Sequence, residues 1–128
     1  MGEGLYDTRF FFEHYYSNEP ATLNWTRSEL GLKRAKFASV VTAHELYKLS
    51  LESEGREVAE LRTVLMSKEF EMIGMDVELA KESAEIRSRY RVPMADSIIA
   101  VTAQIQECTL VSDDVHFRGI TNLKTKWV

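Results

Sequence analysis

Short apolar stretches alternate along this chain with longer segments in which apolar residues recur at helical spacing. A short apolar stretch predicts a buried strand, and the longer periodicity predicts a helix with one buried face. Strands are predicted at residues 5–6, 37–41, 70–73 and 109–111, with a possible last strand at 126–128. Helices are predicted at residues 9–17, 22–36, 42–51, 56–65, 77–90 and 93–107, with a loop or helical turn at 113–118.

This alternation of strands and helices predicts an α/β fold. Strands separated by helices favour parallel pairing, and a parallel sheet is normally covered by helices on both faces. A chain of 128 residues is long enough for one such domain. We therefore expect a single three-layer α/β/α domain over residues 1–128, with a short, mainly parallel sheet of four to five strands.

Composition narrows the class of protein without naming a function. Hydrophobic residues make up 45% of the chain and charged residues 28%, as in ordinary globular domains rather than disordered ones. Cys108 is the only cysteine, which excludes an intrachain disulfide, and we expect it to be an inert core thiol. No apolar run approaches the ~20 residues that span a bilayer, and the first residues do not have the pattern of a signal peptide. We therefore expect a cytoplasmic protein with no membrane partner.

The net charge of −4 argues against a protein that coats nucleic acid with a uniformly basic surface. Basic residues are nevertheless concentrated locally, and two interpretations of these concentrations remain open. They are either solvated helix faces or patches that together hold a polyanion. The basic residues concerned are Arg27, Lys33, Arg34 and Lys36, then Arg87, Arg89 and Arg91, and finally Arg118, Lys124 and Lys126.

Four acidic residues fall at or just after the predicted strand ends or at the start of a helix. They are Asp7, Glu45, Asp96 and Asp114. In open parallel sheets, ligands bind beyond the carboxyl ends of the strands, so we expect these acids to converge at one edge. Two carboxylates ~5 Å apart repel by roughly 3 kcal/mol at an effective dielectric constant of 20. Such a cluster needs protonation or a cation, and oxygen ligands favour Mg²⁺ or Mn²⁺.

Each of these acids also has a purely structural explanation. Residues 42–45 have the spacing of a helix capping box, with Thr42 and Glu45 as its partners. Asp96 in a first helical turn would interact favourably with the helix dipole. Asp7 and Asp114 are also suitable turn or N-cap residues. Only their joint placement favours a metal site.

Other candidate chemistry is weaker. The three histidines are too dispersed for a zinc site and are expected to be ordinary core or surface residues, with His116 packing locally beside the acidic loop. No glycine-rich phosphate loop is present. The aromatic residues near the N-terminus are expected to form core rather than a base-stacking platform. The residues concerned are His14, His44 and His116 among the histidines, and Phe10, Phe11, Phe12, Tyr15 and Tyr16 among the aromatics.

Several stretches resemble the motifs of a known family. Residues 95–103 and 108–117 resemble the C-terminal signature of PIN-domain ribonucleases, and in particular of the toxins of VapBC-type toxin–antitoxin pairs. Residues 5–8 resemble the family's N-terminal strand and acidic motif, and residues 39–46 resemble its second motif. The order and spacing of the four acids match the family, and the resemblance covers nearly the whole chain.

The resemblance implies a PIN-like fold and metal-dependent hydrolysis of RNA phosphodiester bonds. It implies that Asp7, Glu45, Asp96 and Asp114 hold Mg²⁺ or Mn²⁺, and that Ser112 is a supporting hydroxyl. It further implies an RNA substrate, a small antitoxin partner and a homodimer.

This sequence departs from the family pattern at two positions. Arg9 stands where a small Ser or Asn is common, and Asp113 stands where a basic residue is frequent. Arg9 or the basic stretches are expected to hold neighbouring phosphates of the substrate.

Two other functions remain open at this point. One is a PIN-like module that binds RNA or protein without catalysis. The other is a phospho-receiver signalling domain, although the paired acids of such a domain would follow the first strand, whereas Asp113 and Asp114 lie near the end of the chain.

Overall fold

A computed structural model describes residues 3–127 of the chain, and it contains an α/β sheet with helices between the strands. The elements are β1 (Gly4–Tyr6), α1 (Thr8–Tyr16), α2 (Pro20–Leu30), β2 (Lys36–Ser39), α3 (Val40–Glu54), α4 (Arg56–Glu69), β3 (Glu71–Ile73), α5 (Val77–Tyr90), α6 (Met94–Gln106), β4 (Thr109–Val111), a 3₁₀ turn (Val115–Phe117) and β5 (Thr125–Lys126).

The five strands form one sheet in the order β3-β2-β1-β4-β5, and every neighbouring pair is parallel. Leu5 of β1 lies between Phe37 of β2 and Leu110 of β4, so β1 is at the centre. All carboxyl ends therefore lie at the same edge. The predicted α/β class and parallel sheet are confirmed. The strand order differs from the 2-1-3-4-5 order of doubly wound receiver domains, which removes the basis for that alternative.

Helices cover both faces of the sheet because successive strand residues point to opposite sides. Leu5 packs with residues of α6 and the C-terminal loops, in the group Val92, Ile99, Ala100, Ala103, Leu110, Phe117 and Ile120. Tyr6, the next residue, packs on the other side with residues of α1, α3 and α4, in the group Phe10, Phe11, Ala38, Leu46, Met66, Phe70 and Val111. Burial of the sheet on both faces explains why the central strand β1 is buried at every position, without alternation.

Two predicted boundaries around the second strand are wrong. The helix predicted over residues 22–36 ends at Leu30, because the chain leaves the helix at Gly31. The strand predicted to reach Val41 ends at Ser39, whose side chain accepts a hydrogen bond from the Val41 backbone N–H at 3.0 Å. Ser39 is thus the N-cap of α3, which begins two residues earlier than expected. The capping box proposed for Thr42 and Glu45 is therefore also wrong.

The last strand of the sheet is only two residues long, and side-chain contacts attach it to the rest of the fold. β5 covers only Thr125–Lys126, whereas the prediction of a strand at 126–128 extends to Val128, which lies outside the described residues. Lys126 Nζ lies 3.2 Å from a buried carboxylate oxygen of Glu29, which also accepts a hydrogen bond from the Tyr6 hydroxyl at 2.9 Å. The rings of Trp127 and Trp25 are in contact, with centroids 4.7 Å apart. These contacts join α2 and β5 at one side of the sheet.

The N-terminal aromatic residues are mainly core, as expected, with one exception. Phe10 and Phe11 are buried, and Phe12 and Tyr15 are half-buried. Tyr16 is exposed, and its hydroxyl donates to Glu54 at 2.6 Å, so its assignment to the core is wrong.

Within residues 3–127, none of the helices has the length and apolar character that crossing a bilayer requires.

Candidate metal centre

Asp7 lies at the carboxyl end of the central strand and is almost completely buried, with 2% of its surface exposed. It occupies the N-cap position of α1, but its side chain makes no capping hydrogen bond. Instead, its Oδ2 accepts a hydrogen bond of 2.7 Å from the hydroxyl of Ser112, which follows the neighbouring strand β4. Helix capping therefore does not explain the buried carboxylate of Asp7 at the sheet edge.

Glu45 reaches this edge from the second turn of α3, where it is half-buried. Its Oε1 accepts a hydrogen bond of 2.5 Å from the hydroxyl of Thr8, and the same hydroxyl lies 3.2 Å from Oγ1 of Thr42. Thr8 follows Asp7 directly and so connects the acids contributed by β1 and α3.

Asp96 is in the first turn of α6, as predicted. The residues that follow it form a continuous buried stretch from Ser97 to Ala103, which fixes the helix against the sheet. The carboxylate itself is half-buried and lies at the rim of the site.

Asp114 caps the 3₁₀ turn, because its Oδ1 accepts the backbone N–H of His116 at 2.9 Å. The ring Nδ1 of His116 lies 3.0 Å from the same Asp114 oxygen and 2.8 Å from Oδ2 of Asp96. One ligand atom from each of these three residues lies within 4.8 Å of the other two, a spacing that suits a metal ion. Among the described residues this is the only such group of three, and Asp7 and Glu45 lie outside it.

The acids interact electrostatically with one another across the sheet edge. The pKa of Asp7 is raised from 3.8 to about 7, mainly by burial and to a smaller extent by the charges of Asp96 and Asp114, while the hydrogen bond from Ser112 acts in the opposite direction. Burial also raises the pKa of Asp96 to about 6, with contributions from Asp114 and Glu45. These carboxyl groups hold their charge poorly without a cation.

The residues present fit a divalent cation. Carboxylate oxygens that converge from β1, α3, α6 and the loop after β4 provide the hard donors that Mg²⁺ and Mn²⁺ accept. The structure thus brings together Asp7, Glu45, Asp96, Asp114 and Ser112, and their roles as ligands or supporting groups remain a prediction.

The two departures from the family pattern form a pair with each other. Arg9 donates from Nε and Nη2 to the two carboxylate oxygens of Asp113, at 2.9 and 3.1 Å. Nη2 also lies 3.5 Å from Glu13 in the next turn of α1. This fork-shaped contact connects the start of α1 with the loop that carries Asp114, at the exposed rim of the acidic site.

Three residues of the other basic stretches have contacts that indicate what they do. Arg34 and Lys126 both lie near the buried carboxylate of Glu29, at 3.7 and 3.2 Å, and therefore support the fold. Arg118, directly after the 3₁₀ turn, is exposed and close enough to help lower the pKa of Asp113, which is set mainly by Arg9.

The prediction of ordinary core or surface residues holds for His14 and His44, and His116 lies beside the acidic loop as expected, with closer contacts there than expected. His14 is half-buried, and its Nδ1 forms a 2.9 Å hydrogen bond with Thr26. His116 contacts two of the four acids rather than only packing beside their loop. Cys108 is half-buried, and burial raises the pKa of its thiol to about 11, in agreement with an inert thiol.

Comparison with protein families matches residues 5–123 to the PIN domain. No curated protein sequence matches the chain.

Solved structures share the fold at low sequence identity. VapBC2 from Rickettsia felis, bound to a DNA fragment from its promoter, has a TM-score of 0.79 and 17% identity, and the match covers 98% of each chain. The DNA-bound VapBC of Salmonella typhimurium has a TM-score of 0.78 and 21% identity, covering 99% of this chain and 98% of the other. VapC20 of Mycobacterium tuberculosis, a toxin that cleaves the sarcin–ricin loop, has a TM-score of 0.74 and 12% identity, covering 94% of this chain and 98% of the other.

The family match spans all four acids and nearly the whole sheet, and the structural matches extend over the same fold. The chain belongs to the PIN domain family.

Proposed function

We propose that this protein is a metal-dependent endoribonuclease and the toxin of a toxin–antitoxin pair. The observation that carries the proposal is the convergence of Asp7, Glu45, Asp96 and Asp114 at the carboxyl edge of the sheet in a PIN domain. Support for the toxin role comes from the similarity to two VapBC structures and to VapC20, a toxin that cleaves the sarcin–ricin loop. We further propose a small antitoxin partner, a homodimer and a cytoplasmic location.

The proposed ion is Mg²⁺ or Mn²⁺, with the four acids as its ligands. When bound, such an ion lowers the pKa of water and offsets charge on the scissile phosphate. Ser112 orients Asp7 through the 2.7 Å hydrogen bond, and Thr8 orients Glu45 through the 2.5 Å hydrogen bond. These two hydrogen bonds hold the carboxylates of Asp7 and Glu45 at the sheet edge.

The test is cleavage of a single-stranded RNA and of a DNA of the same base sequence by the purified protein. We expect internal cleavage of the RNA with Mg²⁺ or Mn²⁺, loss of cleavage with EDTA, and recovery when the ion is restored. RNA binding without cleavage in either ion would support the binding-module alternative and contradict the proposal.

Arg9 is the cation best placed to contact a substrate phosphate beside the acids, because it lies at the rim and is 44% exposed. Arg9→Gln is expected to weaken binding of single-stranded RNA several-fold. It should also reduce the slope of the logarithm of the binding constant against the logarithm of the salt concentration by about 0.7, the value for one lost phosphate contact. Asp113→Asn is expected to strengthen binding, because it releases the guanidinium. Binding is measured by fluorescence anisotropy in an Asp96→Asn background, so that the RNA is not consumed.

The matched control for this prediction is Arg56→Gln, which changes an exposed arginine at the first position of α4. It should leave both affinity and salt dependence unchanged. If Arg9→Gln and Asp113→Asn change affinity in the same direction, the pair only holds the loop and Arg9 does not contact phosphate. Neither variant should change the free energy of unfolding by more than about 1 kcal/mol, because the ion pair is exposed.

A further inference from the structure

Within residues 3–127, the group of three residues that could hold a metal ion contains one nitrogen ligand, the imidazole of His116. Its side chain is 48% exposed, yet its Nδ1 is turned toward the protein, 2.8 Å from Asp96 and 3.0 Å from Asp114. The carboxylates alone would suffice for the proposed function, so this nitrogen calls for its own explanation.

The spacing of the three donor atoms agrees with joint ligation of one ion. Ligands bound about 2.0–2.2 Å from an ion at right angles to each other lie roughly 3 Å apart. The nitrogen is at this separation from one oxygen of Asp96 and one of Asp114. All three donor atoms lie within 4.8 Å of one another.

The backbone also holds His116 in place. Its N–H donates to Asp114 at 2.9 Å, and the adjacent Phe117 is buried in the core group that contains Leu5. Asp114 is fixed in turn by its own backbone N–H, which donates to the Ser112 hydroxyl at 3.1 Å. The imidazole is therefore anchored at the cluster, although one face of the ring is in solvent.

We infer that His116 is a direct ligand of the ion and makes the site select Mn²⁺ over Mg²⁺. This inference rests on the proposed function, because it assumes that the acids hold a divalent cation. Mg²⁺ takes oxygen ligands and dehydrates reluctantly, whereas first-row transition ions accept imidazole nitrogen together with carboxylate oxygen. A site made only of the four acids would not distinguish the two ions by donor type.

The experiment measures metal binding directly, without RNA. Mn²⁺ and Mg²⁺ are titrated into the wild-type protein, His116→Ala and the control His44→Ala by calorimetry. His44 is an exposed histidine beside Glu45 and outside the three-residue group, so it controls for loss of any imidazole near the site. We expect His116→Ala to weaken Mn²⁺ at least tenfold and Mg²⁺ less than threefold, and His44→Ala to change neither.

A spectroscopic measurement separates ligation from hydrogen bonding. Electron spin echo envelope modulation of bound Mn²⁺ is expected to show coupling to ¹⁴N of an imidazole in the wild type and in His44→Ala, and none in His116→Ala. In His116→Asp, which offers oxygen instead of nitrogen, the preference for Mn²⁺ over Mg²⁺ should fall.

Three results would overturn the inference. Mn²⁺ bound by the wild type without nitrogen coupling would leave the proposed nuclease intact and remove His116 from the ligand set. An equal loss or a gain of affinity for both ions in His116→Ala would show that the imidazole acts only by hydrogen bonding. Failure of the wild type to bind either ion would contradict the inference and the proposed function together.

Discussion

The Asp96→Asn variant is expected to cleave RNA at least about a hundredfold more slowly than the wild type while keeping its fold. Removing even a group that acts only through a metal ligand typically costs 10–100-fold in metal affinity or activity, so loss of a ligand charge should cost at least as much. Asp96 contributes a half-buried carboxylate whose Oδ2 lies 2.8 Å from His116 and whose charge acts on Asp7. The amide is nearly the same size, and the buried stretch after it holds α6 in place.

The matched control is Asp76→Asn. Asp76 is the N-cap of α5, where its carboxylate accepts the Leu79 backbone N–H at 2.8 Å, and Asn caps helices as well as Asp does. This variant should retain full activity and unfold within about 0.5 kcal/mol of the wild type. Initial rates at several Mg²⁺ and Mn²⁺ concentrations, with thermal melts of each variant, provide the measurement. An Asp96→Asn protein that melts normally and keeps more than a tenth of the activity would exclude Asp96 from the catalytic centre.

The Asp7→Asn variant is expected to be more stable than the wild type at pH 8 in the absence of metal, while losing activity. The pKa of Asp7 is raised from 3.8 to about 7, mainly by burial. Between these two values the folded protein holds a proton that the unfolded chain releases, so stability falls as the pH rises from about 4 to 7. Above pH 7 the buried charge imposes its full cost, on the order of 4 kcal/mol at most for a shift of this size. Asn removes that cost.

Thermal unfolding across pH tests this expectation. At pH 8 the metal-free variant should melt at least about 5 °C above the wild type, and near pH 4 the difference should disappear. Adding Mn²⁺ should raise the melting temperature of the wild type and reduce the gap, because the ion offsets the charge of Asp7. The Asp76→Asn control should show no such dependence on pH. A lower melting temperature for Asp7→Asn at pH 8 would mean that the native structure favours the charged carboxylate.

Elements with clear ends were predictable from the sequence. α5 and β4 have the predicted bounds, because Asp76 caps the helix and the strand is a short apolar stretch after the end of α6. The start of α3 was not predictable from propensity, because Val40 and Val41 favour a strand while the Ser39 side chain caps a helix. The hydrogen bond between Ser39 and the Val41 N–H therefore starts the helix at Val40, although valine favours strands.

The convergence of the acids followed from topology, whereas their partners did not. Parallel strands place their carboxyl ends together whatever the side chains are, so Asp7 and Asp114 could be assigned to one edge in advance. The contact of Arg9 with Asp113 joins residues 104 positions apart and leaves no local pattern. The contacts of His116 with Asp96 and Asp114 could not be predicted from the spacing of the three histidines relative to one another. The useful signal was its spacing of two residues from Asp114, which places the imidazole beside the carboxylate in a tight turn.

The contact between Trp25 and Trp127 has a practical consequence for optical spectroscopy. These are the only two tryptophans of the chain, and their indole rings are in van der Waals contact between α2 and the residue after β5. Tryptophan fluorescence therefore reports on a single place in the molecule, the contact of the residue after β5 with α2. During denaturation, a change in tryptophan emission that precedes the loss of the helical circular dichroism signal would show that the residues around Trp127 detach in a separate step.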